Sequence, residues 1–269
     1  MQLASSLLAI LLYLICTLQI WRRFRTRVVG DSVGCGRKIA TLWIAALVLH
    51  GIALFTNIDT PNGLSLGITH ALSLVGWVVA LMVLIALHSR PVEGLGLILL
   101  PFAALTVIVE LLFPGERILP QSSGNVLAIH VFISLLASSL FVIAALQAGL
   151  LWYQDRRLRT HRPGGWLRAL PPLQHTESLL FQTIALGFAL LTAALVTGLV
   201  FINQFFNMAA PQRTLLFISS WVVFGTLLVD RWRFGWRGRI AIRWTLTGFA
   251  ILLVAYLSAQ LFAMLAAGG

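Results

Sequence analysis

Eight apolar runs, each long enough to cross a bilayer as a helix, take up most of this 269-residue chain. A hydrocarbon core of about 30 Å needs roughly 20 helical residues. The runs fall at about 2–21, 39–56, 66–87, 94–113, 125–153, 177–205, 212–230 and 241–265. Inside lipid the backbone must satisfy its own N–H and C=O groups, so only helices and closed barrels can span. A barrel would alternate apolar and polar residues over short segments, whereas these runs are continuous. The expected fold is therefore all-α, a polytopic membrane helical bundle of about eight transmembrane helices forming one integral membrane domain over 1–269. Composition agrees, with 59% hydrophobic and 10% charged residues, against the roughly 25% charged that soluble domains carry.

The connectors hold the chain-breaking residues: DTPNG at 59–63, SRPVEG at 89–94, FPGERILPQSSGN at 113–125 and RPGGWLRALPP at 162–172. Basic residues are distributed very unevenly among them. Seventeen of the nineteen Lys and Arg fall in the loops after spans one, three, five and seven, and only Arg117 and Arg213 fall on the other side. The positive-inside rule then places the Arg-rich loops in the cytoplasm and both termini outside. The first run has its arginines after it rather than before it, in WRRFRTR, so it reads as a retained span and not as a cleaved leader. Arg-rich loops against anionic headgroups account for the net charge of +11, and a nucleic-acid partner is not expected. Cys16 and Cys35 show no CxxC spacing and are expected to be free thiols; CxxCH, the mark of covalently attached haem, is absent.

In so apolar a chain the informative residues are ionisable groups at membrane depth. Of six histidines, His88, His161 and His175 fall at or inside the cytoplasmic face. His50, His70 and His130 lie within spans two, three and five, at depths of roughly 9, 6 and 7.5 Å below the outer boundary at about 1.5 Å per residue. Neutral imidazole is a metal ligand and an axial ligand of haem iron, and helical bundles build such sites from facing helices. Each histidine could equally donate to a neighbouring carbonyl and only pack. Phe132, Phe201, Phe205, Phe206 and Trp77 are available to surround a macrocycle, and Arg117 and Arg213 to pair with its propionates. Glu110 is a proton carrier, a partner for His50, or a group reaching the headgroups. Asp230, beside Arg231 and Arg233, is expected to form an interfacial ion pair. Walker, HExxH and GxSxG patterns are absent, so no catalysis is expected.

Three segments, NVLAIHVFISLLASSLFVIAALQAGLLW at 125–152, LPPLQHTESLLFQTIALGFALLTAALVTGLVF at 170–201 and GWRGRIAIRWTLTGFAILLVAYL at 235–257, occur in an order that resembles the cytochrome c assembly membrane proteins. The similarity is to the haem-handling family of CcsA and CcmC types, and closest to its shorter YpjD/HemX-like branch. Gly235, Trp236, Arg237 and Gly238, the GWRG motif, carry it most specifically. The resemblance implies an inner-membrane protein that binds haem or helps deliver it to apocytochromes, with His130 matching the family's outer histidine and His50 its membrane-embedded one. His70 has no counterpart in the pattern. The chain departs from haem-exporting members at INQFFNMAAPQRT, which has neither the Trp nor the Asp of their WxWDxxE segment, and it lacks their histidines before GWRG and after the last span.

Three readings follow. In the first, His50 and His130 offer imidazole nitrogens to the iron of a bound haem and the protein assists cytochrome biogenesis with no chemistry of its own. In the second, it is a transporter or an accessory subunit of one, which predicts Gly- or Pro-broken helices; Pro101 is the one candidate kink. In the third, it scaffolds another membrane protein and binds nothing small.

Overall fold

The structure, a computed structural model, describes residues 2–26, 36–60, 63–65, 68–89, 93–113, 118–119, 124–159, 173–199 and 211–267. Among these, eight helices are long and apolar enough to cross a membrane: α1 (Gln2–Thr26), α2 (Arg37–Ile58), α3 (Ile68–Ser89), α4 (Glu93–Leu112), α5 (Gly124–Arg159), α6 (Leu173–Thr197), α7 (Pro211–Phe234) and α8 (Arg239–Ala267). The chain is thus a multi-pass membrane protein, as its hydropathy predicts. Helices α5 and α6 differ most from the predicted spans: α5 extends through its basic last turn to Arg159, and α6 starts at Leu173 and ends at Thr197, followed by a wider π turn at residues 198–199. Helix α4 runs unbroken through Pro101.

By packing, the helices divide into two compact units, α1–α4 and α5–α8. In the first, α1 packs on α2 and α4, and α3 on α2 and α4. In the second, α5 packs on α6 and α8, and α7 on α6 and α8. Each unit is therefore a four-helix ring whose sequence neighbours are also spatial neighbours, as short connections favour.

Lipid is as apolar as leucine, so what holds such rings together is close packing and interhelical hydrogen bonding, not hydrophobic burial alone. Helix α1 shows both faces of this economy. Leu3, Leu7, Leu11, Leu14 and Leu18 are exposed on one side, while Tyr13 and Cys16, whose thiol donates to the Ile39 carbonyl of α2 at 3.9 Å, are fully buried on the other. Small residues bring the backbones together. Gly76 of α3 lies so close to the Thr106 side chain of α4 that a Cβ there would clash with it. In the second unit a Cβ on Gly248 of α8 would lie 2.8 Å from the Phe224 ring of α7, and that ring stacks on Phe141 of α5 with centroids 4.1 Å apart.

One element is not foreshadowed by the residue pattern. Three short strands, β1 (Asp59–Thr60), β2 (Gly63–Ser65) and β3 (Ile118–Leu119), form an antiparallel sheet in the order β1-β2-β3. Asp59 pairs with Leu64, and Leu64 in turn with Leu119. The sheet lies at the non-basic end of the first unit, where α2 and α4 end and α3 begins. At the basic end of the second unit, α7 closes with Gly235 N–H on the Arg231 carbonyl at 3.1 Å. Gly235 and Gly238 both take the left-handed conformation, at φ of 65° and 58°. Only glycine adopts this readily, which gives the two glycines of GWRG a structural reason.

Candidate functional site

The three histidines read from sequence as one outer layer stand in three different environments. His50, on α2, is fully buried. Its Nδ1 is 3.1 Å from the Tyr13 hydroxyl of α1 and its Nε2 3.0 Å from the Ser73 hydroxyl of α3. The Tyr13 ring also meets the imidazole edge-on, with centroids 5.8 Å apart. Both ring nitrogens are satisfied, so His50 ties three helices of the first unit together. It presents a lone pair to a metal only by giving up one of these two bonds.

His130, on α5 in the second unit, is half-buried and differently held. Its Nδ1 lies 2.9 Å from the Thr197 hydroxyl of α6. That hydroxyl is itself 2.9 and 3.0 Å from the Ala193 and Ala194 carbonyls, to which it donates. With its single proton so used, the Thr197 oxygen accepts from Nδ1–H, which leaves the lone pair on Nε2. The nearest group to Nε2 is the Ser134 hydroxyl at 3.5 Å, too long for a strong hydrogen bond. Gly198, in the π turn that ends α6, makes room for the ring, because a Cβ there would lie 3.2 Å from His130 Cε1. An imidazole with one nitrogen tied to a fixed acceptor and the other free is the usual arrangement of a metal-binding histidine.

His70, near the start of α3, is buried beside Glu110 of α4, with Nε2 3.9 Å from Oε1. Asn57 of α2 donates to the same carboxylate oxygen at 2.8 Å. Glu110 is only 5% exposed, so it does not extend to the headgroups, and its imidazole neighbour is His70 and not His50. The sequence singled out Glu110 as an ionisable group within an apolar span, where it is buried. It could not show the partners, since Asn57 and His70 are 53 and 40 positions away.

The other expected contributors fall out as follows. Trp77 donates its indole N–H to the Leu47 carbonyl at 2.8 Å and, with Gly51, lines an apolar groove of about 560 Å³ on the first unit. Phe132 is 62% exposed. Phe201, Phe205, Phe206, Arg117, Cys35 and His161 lie outside the described residues, as does the side chain of Arg213. His175 is exposed. Arg231 turns away from Asp230. It binds Glu177 of α6 at 3.1 Å and the Trp236 carbonyl at 2.9 Å, and its guanidinium lies 4.5 Å from the centre of the Phe181 ring. Asp230 is next to Arg231 in sequence, but the inward-facing carboxylate at that level is Glu177, only 6% exposed.

Among the described residues no three His, Cys, Asp or Glu side chains cluster to hold a bare metal ion. Haem is different, because its macrocycle supplies the equatorial nitrogens and the protein needs to supply only an axial imidazole. The Nε2 of His130 fits that requirement as it stands.

Comparison with known proteins agrees with the architecture. Residues 4–265 match the family described as cytochrome C assembly protein. The chain is 30% identical over 225 residues to the inner membrane protein YpjD of Escherichia coli, covering 81% of this chain and 83% of that protein. It is 27% identical over 209 residues to a cytochrome c biogenesis protein CcsA of Prochlorococcus marinus, covering 67% of each. No solved structure matches. With the family matched over nearly its full length and its eight helices in place, the chain belongs to the cytochrome c assembly protein family.

Proposed function

We propose that this protein binds haem within the bacterial inner membrane and assists cytochrome c biogenesis without catalysis of its own. The observation that carries this reading is His130, whose Nδ1–H is fixed by Thr197 and whose Nε2 lone pair has only a long contact to Ser134. The names of its relatives supply the biological setting. When bound, haem would contribute a redox-active iron that the His130 imidazole could ligate. The protein's part is to orient the ligand nitrogen, through Thr197, and to exclude water with the apolar helix faces around it. His50 joins in ligation only by releasing Tyr13 or Ser73. Helix α4 runs unbroken through Pro101, so that proline does not mark the kink the transporter reading predicts.

The test is an absorption spectrum of the full chain, purified in mild detergent after expression with ample haem, oxidised and reduced, beside His130→Ala and His50→Ala. The expected result is a Soret band that moves on reduction and is lost in His130→Ala. A well-folded wild-type protein without the band overturns the reading. Orientation is tested separately. With both termini outside, a reporter active only outside the cytoplasm works when fused at Gly269 and fails at His161, and the reverse pattern refutes that layout.

A further inference from the structure

We infer that the outward face of α8, headed by Arg243 and flanked by the GWRG turn, is a binding site for a phospholipid of net negative charge. Among the described residues, eight arginines stand at the basic end of the second unit, and five of them are engaged. Arg156 and Arg157 lie over the Trp152 and Tyr153 rings of their own helix, 5.5 and 5.3 Å from the ring centres. Arg159 and Arg239 share Asp155, at 3.1 and 3.0 Å, and Arg231 holds Glu177 and the Trp236 carbonyl. Arg233, Arg237 and Arg243 are exposed and make no hydrogen bond or ion pair with the described chain. Even set against the carboxylate of Asp230, these three leave the patch positive.

Arg243 is the most telling of them. It is the fifth residue of α8, about 6 Å along the axis inside a segment apolar enough to cross a membrane. It faces outward, whereas Ala241, Ile242 and Thr245 face in. A cation on the lipid side of a span is costly unless it reaches an anion or water. Helical side chains lean towards the N-terminus of their helix, which here carries the guanidinium back to the headgroup level of the basic end. Beyond Arg243 the same face continues through Leu246, Ala250, Leu253 and Leu257, spaced three and four residues apart and all exposed. They form one apolar track about 20 Å long. A cation at the head of such a track matches a lipid, with its phosphate at one end and an acyl chain along the helix; a free phosphate would use only the first part.

The turn before α8 adds to the same place. The Trp236 and Trp244 rings meet with centroids 5.5 Å apart, which sets the turn carrying Arg237 against the helix that carries Arg243, and Arg231 pins that turn through the Trp236 carbonyl at 2.9 Å. Trp232, 86% exposed, is a ring suited to the boundary between lipid and water. A zwitterionic headgroup would bring its own ammonium into a field of unpaired guanidiniums, so the patch selects an acidic one.

The test measures binding of a tail-labelled fluorescent phosphatidylglycerol to the purified full-length protein in mild detergent, with unlabelled phosphatidylglycerol, phosphatidylcholine and glycerol 3-phosphate as competitors. Phosphatidylglycerol is expected to displace the label ~tenfold or more better than phosphatidylcholine, and glycerol 3-phosphate, which has no tail, to leave it in place. Arg243→Gln is expected to weaken binding about fivefold, and Arg243→Lys, which keeps the charge, to weaken it less. Arg156→Gln, whose guanidinium already rests on Trp152, is expected to bind as the wild type does. Equal displacement by phosphatidylcholine, or equal loss in Arg156→Gln and Arg243→Gln, reduces the patch to unselective contact with the bilayer and overturns the assignment. Displacement by glycerol 3-phosphate as strong as by phosphatidylglycerol overturns it in favour of a free phosphate group.

Discussion

The two four-helix units place their cross-helix polar contacts at different levels. In α1–α4 they reach across between helices: Tyr13 and Ser73 to His50, and Asn57 to Glu110, all towards the non-basic half of the unit. In α5–α8 most of the described hydroxyls turn back on their own helix, as Ser138, Ser139, Thr183, Thr192 and Thr245 do with the carbonyl four residues earlier. Its cross-helix bonds include Trp221 to Thr192, Ser220 to the Gly248 carbonyl, His130 to Thr197 and, at the basic end, Arg231 to Glu177 and Arg239 to Asp155. The first unit's buried imidazoles and carboxylate lie within its polar stitching, while the second adds stacked aromatic pairs between helices, Phe141 on Phe224 and Phe188 on Trp221, and keeps its ion pairs at the basic end. The lesson is that a histidine in a membrane helix is best judged by what its nitrogens are already doing. His50 belongs to the stitching, and His130 stands apart from it.

The comparison can be broken at several points. The largest effect is expected from Gly76→Ala, which drives a methyl into Thr106 in the tightly stitched unit and should cost about 3 kcal/mol of resistance to denaturing detergent. Gly248→Ala in the second unit meets the rim of the Phe224 ring, which can shift, and should cost about half as much. Equal losses in a detergent titration would show that the two units tolerate crowding alike. Next comes Glu177→Ala. It leaves the Arg231 guanidinium facing a buried site, but 26% side-chain exposure lets water offset part of the penalty, so about 2 kcal/mol is expected. If the loss persists unchanged when Arg231 is also replaced by Met, the pair is not its source.

A smaller effect, about 1 kcal/mol, is expected from Tyr13→Phe, which removes one of the two bonds to His50 while keeping the ring. A neutral result there would mean that the imidazole finds another partner. The smallest change in stability, roughly 0.6 kcal/mol, is expected from Thr197→Val. This variant should nonetheless weaken haem binding, because the Nδ1–H of His130 loses its acceptor and the ring its orientation. Unchanged haem affinity in Thr197→Val would detach that hydroxyl from ligand binding.

The eight spans were readable because length and continuous hydropathy suffice to find a helix in lipid, and Glu110 and the histidines stood out as ionisable residues within apolar runs. Their partners were not readable. Most of these helices are apolar on nearly every face, so no period marks which side turns inward, and nothing in the order of residues says that Tyr13 meets His50 or that Arg231 prefers Glu177 to the adjacent Asp230. The strands escaped notice for another reason. Segments of two or three residues are too short to show alternation, and DTPNG reads correctly as a turn without revealing that its flanks pair. The division into two units is likewise a property of packing, and no linker composition announces it.

The small sheet has a consequence for how the protein is made. Pairing of β1 with β2 needs only the segment between α2 and α3, so it can form before α4 is made. The Leu64–Leu119 pairing spans 55 positions and must wait until both α3 and α4 have been threaded through. Helices inserted in the wrong topology would leave β3 on the opposite side of the bilayer, with its hydrogen bonds unmade. The ladder is thus complete only when α3 and α4 have both been laid down in alternating directions, which ties the last strand pairing to the correct threading of the whole first unit.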